Sequence, residues 1–335
     1  MSISSVDIFF RKPEEVSEEN SNGGRMTATI LLSGIKNSVF PDVRQAERVS
    51  GSDKWRKVFL HFAPPDQSQA LDVKLVPWLP TPAQDRILTH LGTFVDIQSE
   101  IVATPGRAYG VAPTVAAELT AGATIIDVTL ENADDAIFLN DDIIYVTDKL
   151  DINSSNGSEE YVVISNVTPL TGNEVRMTLL TPLVNSYAES TGVKIRVASV
   201  VSYGDVLALV SDVVVTSVSG VFDDSDMILY PASTIYDIWT LTFTDATHYG
   251  VVGAETGSVG TGTTGGTFAP NNAAFGGPYF SIPSAAFSGT WAANDDIVFT
   301  TSPAARALWL KRIVPAGAET FAANQFVLMT DLESA

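Results

Sequence analysis

Apolar residues in this chain come in short runs of Val, Ile, Thr and aromatics, and the runs stop at turns of Gly, Pro, Asn or paired Asp. Runs of that length and β-branched content suit strands, and acidic residues confined to turns and strand ends leave the runs free to pack between facing sheets. One form of the pattern occurs three times. Phe138, Phe222 and Trp291 each precede an acidic pair, Asp141/Asp142, Asp223/Asp224 and Asp295/Asp296, and a β-rich run follows: IIYVTD, MILYP or IVFTT. The spacing between copies is too irregular for a solenoid. The reading is an all-β chain of small β-barrel or β-sandwich modules.

With 335 residues, 45% of them hydrophobic and 17% charged, the chain can bury its own cores without staples. It has no cysteine, which excludes disulfides, thiolate metal sites and a cysteine nucleophile. Basic residues number 19 against 39 acidic, a net charge of -20 that opposes unspecific binding to nucleic acid or membrane phosphate. The opening MSISSVDIFFRKPEEVSEEN is acidic where a secretory leader would be apolar, and no run of about 18 apolar residues occurs, so neither a leader nor a membrane span is expected.

The charge is unevenly spread. Residues 1–112 carry 12 basic and 13 acidic side chains, residues 113–335 carry 7 and 26, and no Lys or Arg occurs from Val197 to Ala305. Arg306, Lys311 and Arg312 then restore the balance of the N-terminal part. This suggests that the two ends co-fold around an inserted middle: 1–110 with 300–335 as a β-rich assembly domain, 111–199 as a barrel-like module, and 200–299 as an acidic β-rich module. Within the last, 253–278 is poor in charge and rich in Gly and Thr, and reads as a long surface loop.

Along the N-terminal part, SVDIFFRKP and MTATILLSG read as strands joined by a polar loop or mobile arm. WRKVFLHF, with Lys57, Phe59 and His61 on one side, reads as an edge strand with a polar face. Pro77, Pro80 and Pro82 preclude continuous central pairing after LDVKLV. ILTHLGTFVDIQSEIVATPG reads as strands on its β-branched content.

Candidate chemistry is sparse. Gly260, Gly262 and Gly265 spell G-x-G-x-x-G, but no helix pattern follows, so a flexible glycine loop is expected and not a nucleotide site. His61, His90 and His248 lack metal-ligand spacing, and the acidic pairs lack a calcium-loop pattern, which leaves Asp its ordinary role of accepting backbone bonds in turns. No serine elbow is present. Neither enzyme activity nor a cofactor or metal is expected. Arg44, Arg48, Lys54, Arg56 and Lys57, interleaved with Trp55 and Phe59, form a basic-aromatic patch that the overall charge assigns to a protein neighbour before nucleic acid.

NSVFPDVRQAERVSGSDKWRKVFLHF resembles a recurring block of tailed-bacteriophage virion structural proteins, in which an F-P-D-V turn leads through a glycine-serine turn to a Y/W-R-K-V-F strand. LWLKRIVPAGA resembles their C-terminal block, adding Trp309, Lys311 and Arg312 to the candidate interface. TAGATIIDVTL and FLNDDIIYVTD are similar to small β modules of phage tail, neck and baseplate proteins. The resemblance implies a non-enzymatic virion subunit, multicopy in a ring or other symmetric assembly at the neck, collar or tail. Its partners would be copies of itself and other virion proteins at the head-tail connector, tail or baseplate, with nucleic acid only as a ring-lumen contact. The alternatives are a capsid decoration protein, or a receptor- or glycan-binding baseplate or tail protein, the last needing an exposed aromatic-acidic groove.

Overall fold

Strands hold 48% of the residues and helix 7% in the computed structural model, which describes residues 3–189, 192 and 194–334. The all-β class is as expected. The sheets are antiparallel, and among the described residues none closes into a true barrel.

The N-terminal part contributes β1 (Ile8–Glu15), β2 (Gly23–Leu31), α1 (Gln45–Ser50), β3 (Ser52–Phe62), β4 (Ala70–Leu79), β5 (Arg86–Leu91), α2 (Gln98–Ala103) and β6 (Ala108–Tyr109). Its six-stranded sheet runs β2-β1-β3, then the C-terminal strand Ala305–Val314, then β5-β6. β3 is therefore central, not the edge strand expected from WRKVFLHF. Both of its faces are covered: Val58, Leu60 and Phe62 enter one apolar core, while Lys57 and His61 lie buried on the other. A polar face in sequence is here an internal face whose charges find partners.

Two further expectations change. The polar connection after β1 is pinned: buried Asn22 donates from Nδ2 to the Trp55 carbonyl (3.1 Å) and to Gln98 Oε1 (2.9 Å). The stretch after β5 turns into α2 instead of another strand. Glu100 accepts the Ile97 N–H at 3.0 Å, and Ile101 alone packs inward against Trp55 and Trp309. Six residues with one inward apolar side chain are too few to display helical periodicity.

Next come β7 (Val111–Ala112), β8 (Thr114–Val115), β9 (Ile125–Thr129), β10 (Ile143–Thr147), β11 (Glu159–Pro169), β12 (Glu174–Leu179) and β13 (Arg196–Ser199), in the order β7-β13-β10-β11-β12-β9-β8. The two edges of this sheet are consecutive pieces of one chain. β7 pairs with β13 and β8 with β9, with Pro113 between them. Proline has no N–H and cannot carry a ladder through, so the sheet curls round a shared core of Ile126, Val128, Ile144, Val146, Ile164 and Met177 without closing as one ladder.

β14 (Val201–Val206) leaves that sheet to pair with β4, and the C-terminal strand Val327–Ser334 lies on the other side of β4. Val73 and Leu75 on one face of β4 share a core with Leu60, Leu308 and Leu310 of the six-stranded sheet. Val76 and Trp78 on the opposite face pack with Tyr145 and Ala198 of the seven-stranded one. The ladder with Val327–Ser334 continues past Pro77 only through a register shift, while pairing with β14 ends at Leu75.

The acidic region holds β15 (Leu209–Thr216), β16 (Ser219–Phe222), β17 (Asp237–Phe243), β18 (His248–Gly253), β19 (Gly257–Thr263), the short β20 (Asn271–Asn272) and β21 (Gly277–Pro278), β22 (Phe287–Thr290) and β23 (Asp296–Ser302). Five form a sheet in the order β15-β23-β17-β18-β19 over an aromatic core that includes Trp239, Phe243, Tyr249, Phe280 and Phe299. β24 (Ala305–Val314) then returns between β3 and β5, and β25 (Val327–Ser334) beside β4.

The long loop expected at 253–278 is corrected here: β19 pairs with β18 along its length. Gly262 stands opposite Tyr249, and a Cβ added to it would meet the Tyr249 ring at 2.6 Å. An aromatic ring laid over a glycine on a paired edge explains a composition that reads as a loop.

Two of the three aromatic-acidic turns are one device. After Phe138, Asp141 has φ 68° and donates its N–H to Ile164, Asp142 accepts the N–H of Ile164, and the Asp142 carboxylate accepts the Leu139 N–H at 2.6 Å. After Trp291, Asn294 has φ 70°, Asn294 and Asp295 make the same pair of bonds with Phe243, and the Asp295 carboxylate accepts the Ala292 N–H at 2.9 Å. Phe138 and Trp291 are both buried. The Phe222 copy differs, since Asp223 accepts the Ser225 N–H at 3.0 Å to start a short 3-10 turn.

Candidate interaction surfaces

β3 and β24 are paired in register from Ser52 opposite Val314 to His61 opposite Ala305, which brings most of the candidate interface residues side by side. Lys54 bridges Glu47 (2.6 Å) and Glu18 (3.3 Å). Arg56 donates to the carbonyls of Ser17 and Trp55 and pairs with Glu18. Lys57 is fully enclosed, 2.6 Å from the Asp96 carboxylate and within hydrogen-bond reach of the Gly24 and Asp96 carbonyls. Burial lowers the Lys57 pKa and the Asp96 charge opposes that fall.

The rest of the patch is likewise engaged. Phe59 and Trp309 are buried, and Trp309 Nε1 donates to Asp96 at 2.9 Å. Arg312 is buried over the Phe40 ring, 4.9 Å from its centroid, and donates to the Pro41 carbonyl at 2.7 Å; burial lowers its pKa. Lys311 pairs with Asp53 at 2.8 Å and lies 5.4 Å from the ring centre of buried Trp55. Arg48 bonds Thr320, and Arg44 is exposed. Only Arg44, Arg48 and Lys311 therefore keep accessible side chains for a neighbour.

Sequence reasoning passed over the residues that join this sheet to the acidic region. Arg11, buried in β1, donates from Nε to His61 Nδ1 (2.7 Å) and from Nη1 to the Ala28 carbonyl (2.6 Å), with the Phe275 ring 5.0 Å away. His61 Nε2 lies 2.9 Å from the Pro231 carbonyl. Burial, with the Arg11 charge adding to it, pushes the His61 pKa down to about 4. For Asp96 the signal was a single charged residue inside an apolar run, FVDI; Arg11 closes the run IFF beside a second charge, Lys12, and carried no such mark.

The outer face of the five-stranded sheet is less occupied. Val214, Val298, Thr240 and Val252 stand opposite one another across four strands, and Val214, Val252 and neighbouring Ile238 are exposed. The region contains no Lys or Arg.

The other two histidines make nearby bonds: His90 Nδ1 reaches the Pro105 carbonyl at 2.9 Å, its buried Nε2 having no partner among the described residues, and His248 pairs with Asp245, whose pKa is lowered by the Thr247 and His248 N–H groups and the imidazole. Among the described residues no group of three or more His, Asp or Glu is placed to hold a metal ion, and no helix is long and apolar enough to cross a membrane. The chain matches no known family model, no curated protein and no solved structure.

Proposed function

We propose that the chain is a non-enzymatic structural subunit of a tailed-bacteriophage virion, multicopy at the neck, collar or tail, where its sandwich-like β modules join neighbouring virion components. The observation that carries this reading is the union of the two blocks that resemble virion proteins. Although some 250 residues apart, they lie as neighbouring strands over seven residue pairs, from Leu308 opposite Val58 to Val314 opposite Ser52, and the Pro41 carbonyl of the F-P-D-V turn accepts from Arg312 of the C-terminal block. The Gly317 N–H likewise donates to the Arg48 carbonyl at 2.7 Å. The two blocks thus make one structural unit, from which the acidic region is carried between β14 and β24.

The multicopy part of the proposal draws on the acidic region. A sheet with a full aromatic core on one side and exposed Val214, Ile238 and Val252 on the other suits burial against a neighbour, and a region without Lys or Arg suits a neighbour with basic groups. Quantitative peptide analysis of purified particles tests the assignment: the chain should be present in a fixed ratio to the major head protein. Its absence from washed particles would refute a virion role.

A further inference from the structure

Lys57 and Asp96 differ from the other lysine–carboxylate pairs among the described residues. The Lys57 side chain is fully enclosed, that of Asp96 is 12% exposed, and Nζ lies 2.6 Å from Oδ1. Oδ1 nonetheless accepts no hydrogen bond, because Nζ does not approach it with hydrogen-bond geometry. Two N–H groups of Nζ are instead directed to the carbonyls of Gly24 (2.7 Å) and Asp96 (2.9 Å), which leaves the third direction for the carboxylate.

The surroundings fix the two groups and keep water out. The Asp96 carbonyl accepts the Gly24 N–H at 3.0 Å, Thr93 Oγ1 accepts the Asp96 N–H at 3.0 Å, and Trp309 Nε1 donates to Asp96 Oδ2 at 2.9 Å. The rings of Phe59 and Trp309 have their centres 5.0 and 5.9 Å from Nζ. Gly23 and Gly92 let the backbone close on that indole: a Cβ at either would come within 2.9 Å of the Trp309 ring. In such a site two separate charges are disfavoured, so transfer of one proton from Nζ to Oδ1 gives a neutral amine and a carboxylic acid. The lone pair uncovered by the transfer faces the carboxyl group. An amine held beside an acid in one rigid fold has an effective concentration on the order of 10⁵ M or more, and exclusion of water favours the condensed product.

We propose that Lys57 and Asp96 condense into an intramolecular isopeptide bond. Nζ attacks Cγ, and the negative charge that develops on Oδ2 is met by the Trp309 N–H. A second proton passes from Nζ to Oδ1, the Cγ–Oδ1 bond breaks, and Oδ1 leaves as water; no oxidant, reductant or cofactor takes part. The product amide keeps Oδ2 as its carbonyl oxygen on Trp309 and retains one N–H for a backbone carbonyl. It ties the central strand β3 to the segment that enters α2. The proposal does not depend on the virion assignment, since both residues belong to one chain.

Intact-mass spectrometry of the denatured full-length protein tests this without any variant. The mass should lie one water below that of the sequence, and tandem spectra of a protease digest should show the Lys57 and Asp96 peptides joined. Lys57→Met and Asp96→Ala should each show their full sequence mass, and the linked protein should run ahead of both on a denaturing gel. Any of three results overturns the proposal: the folded protein keeps its full sequence mass after prolonged incubation, the loss of water maps to other residues, or the loss persists in Lys57→Met.

Discussion

His61, in the central strand of the six-stranded sheet, donates its Nε2 proton to the carbonyl of Pro231 in the acidic region, across 2.9 Å. The direction follows from its other nitrogen. Arg11 Nε can only donate, so His61 Nδ1 must accept, and the ring proton sits on Nε2. One neutral imidazole thereby ties the six-stranded sheet to a turn of the acidic region.

Acid should loosen that tie. The unfolded chain takes up a proton near pH 6.5, whereas His61 in the folded protein does so only near about 4, so its contribution is full above pH 6.5 and is lost as the pH falls through that window. The difference amounts to roughly 3 kcal/mol. Urea unfolding of the protein and of His61→Gln at pH 7.5 and pH 4 measures it. The stability gap between the two should shrink by about that amount on acidification, and a constant gap would count against a neutral buried His61.

Asp96→Asn should be among the most damaging single changes in the N-terminal part. It leaves the Lys57 ammonium enclosed without its counter-charge, which costs about 3–5 kcal/mol. Lys57→Met combined with Asp96→Asn should cost less than the sum of the two single changes, and denaturant melts arranged as a double-mutant cycle read the coupling.

The glycines of G-x-G-x-x-G should separate cleanly. A Cβ at Gly262 would press on the Tyr249 ring, while one at Gly265 would meet nothing within 4 Å. Gly262→Ala should lower stability by about 1–3 kcal/mol and Gly265→Ala should be near neutral. Equal effects would mean that β19 does not pack as described.

The shared aromatic-acidic turn makes a paired prediction. Asn294 and Asp141 hold φ near 70°, so glycine at either position should be tolerated and valine should cost about 1–3 kcal/mol. Asp295→Ala should cost a similar amount by orphaning the Ala292 N–H and the Ser217 hydroxyl. Thermal melts of the five variants would show whether both turns respond alike.

The strand runs were legible because β-branched residues and turn residues act over a few positions, and the Phe138 and Trp291 turns could be matched by eye. Neighbour relations were not. β24 sits between β3 and β5 through contacts spanning more than two hundred residues. For the same reason Lys54, Arg56 and Lys57 looked like a surface patch: their partners Glu18 and Asp96 are distant in sequence, Glu47 lies in a separate helix, and charge usually implies exposure.

Electron cryo-microscopy of particles that carry this chain tests its assignment most directly. The account predicts its six-stranded sheet and acidic region as repeated density around the tail axis, at the neck, collar or tail. Density at head lattice points, or particles without the chain, would contradict it.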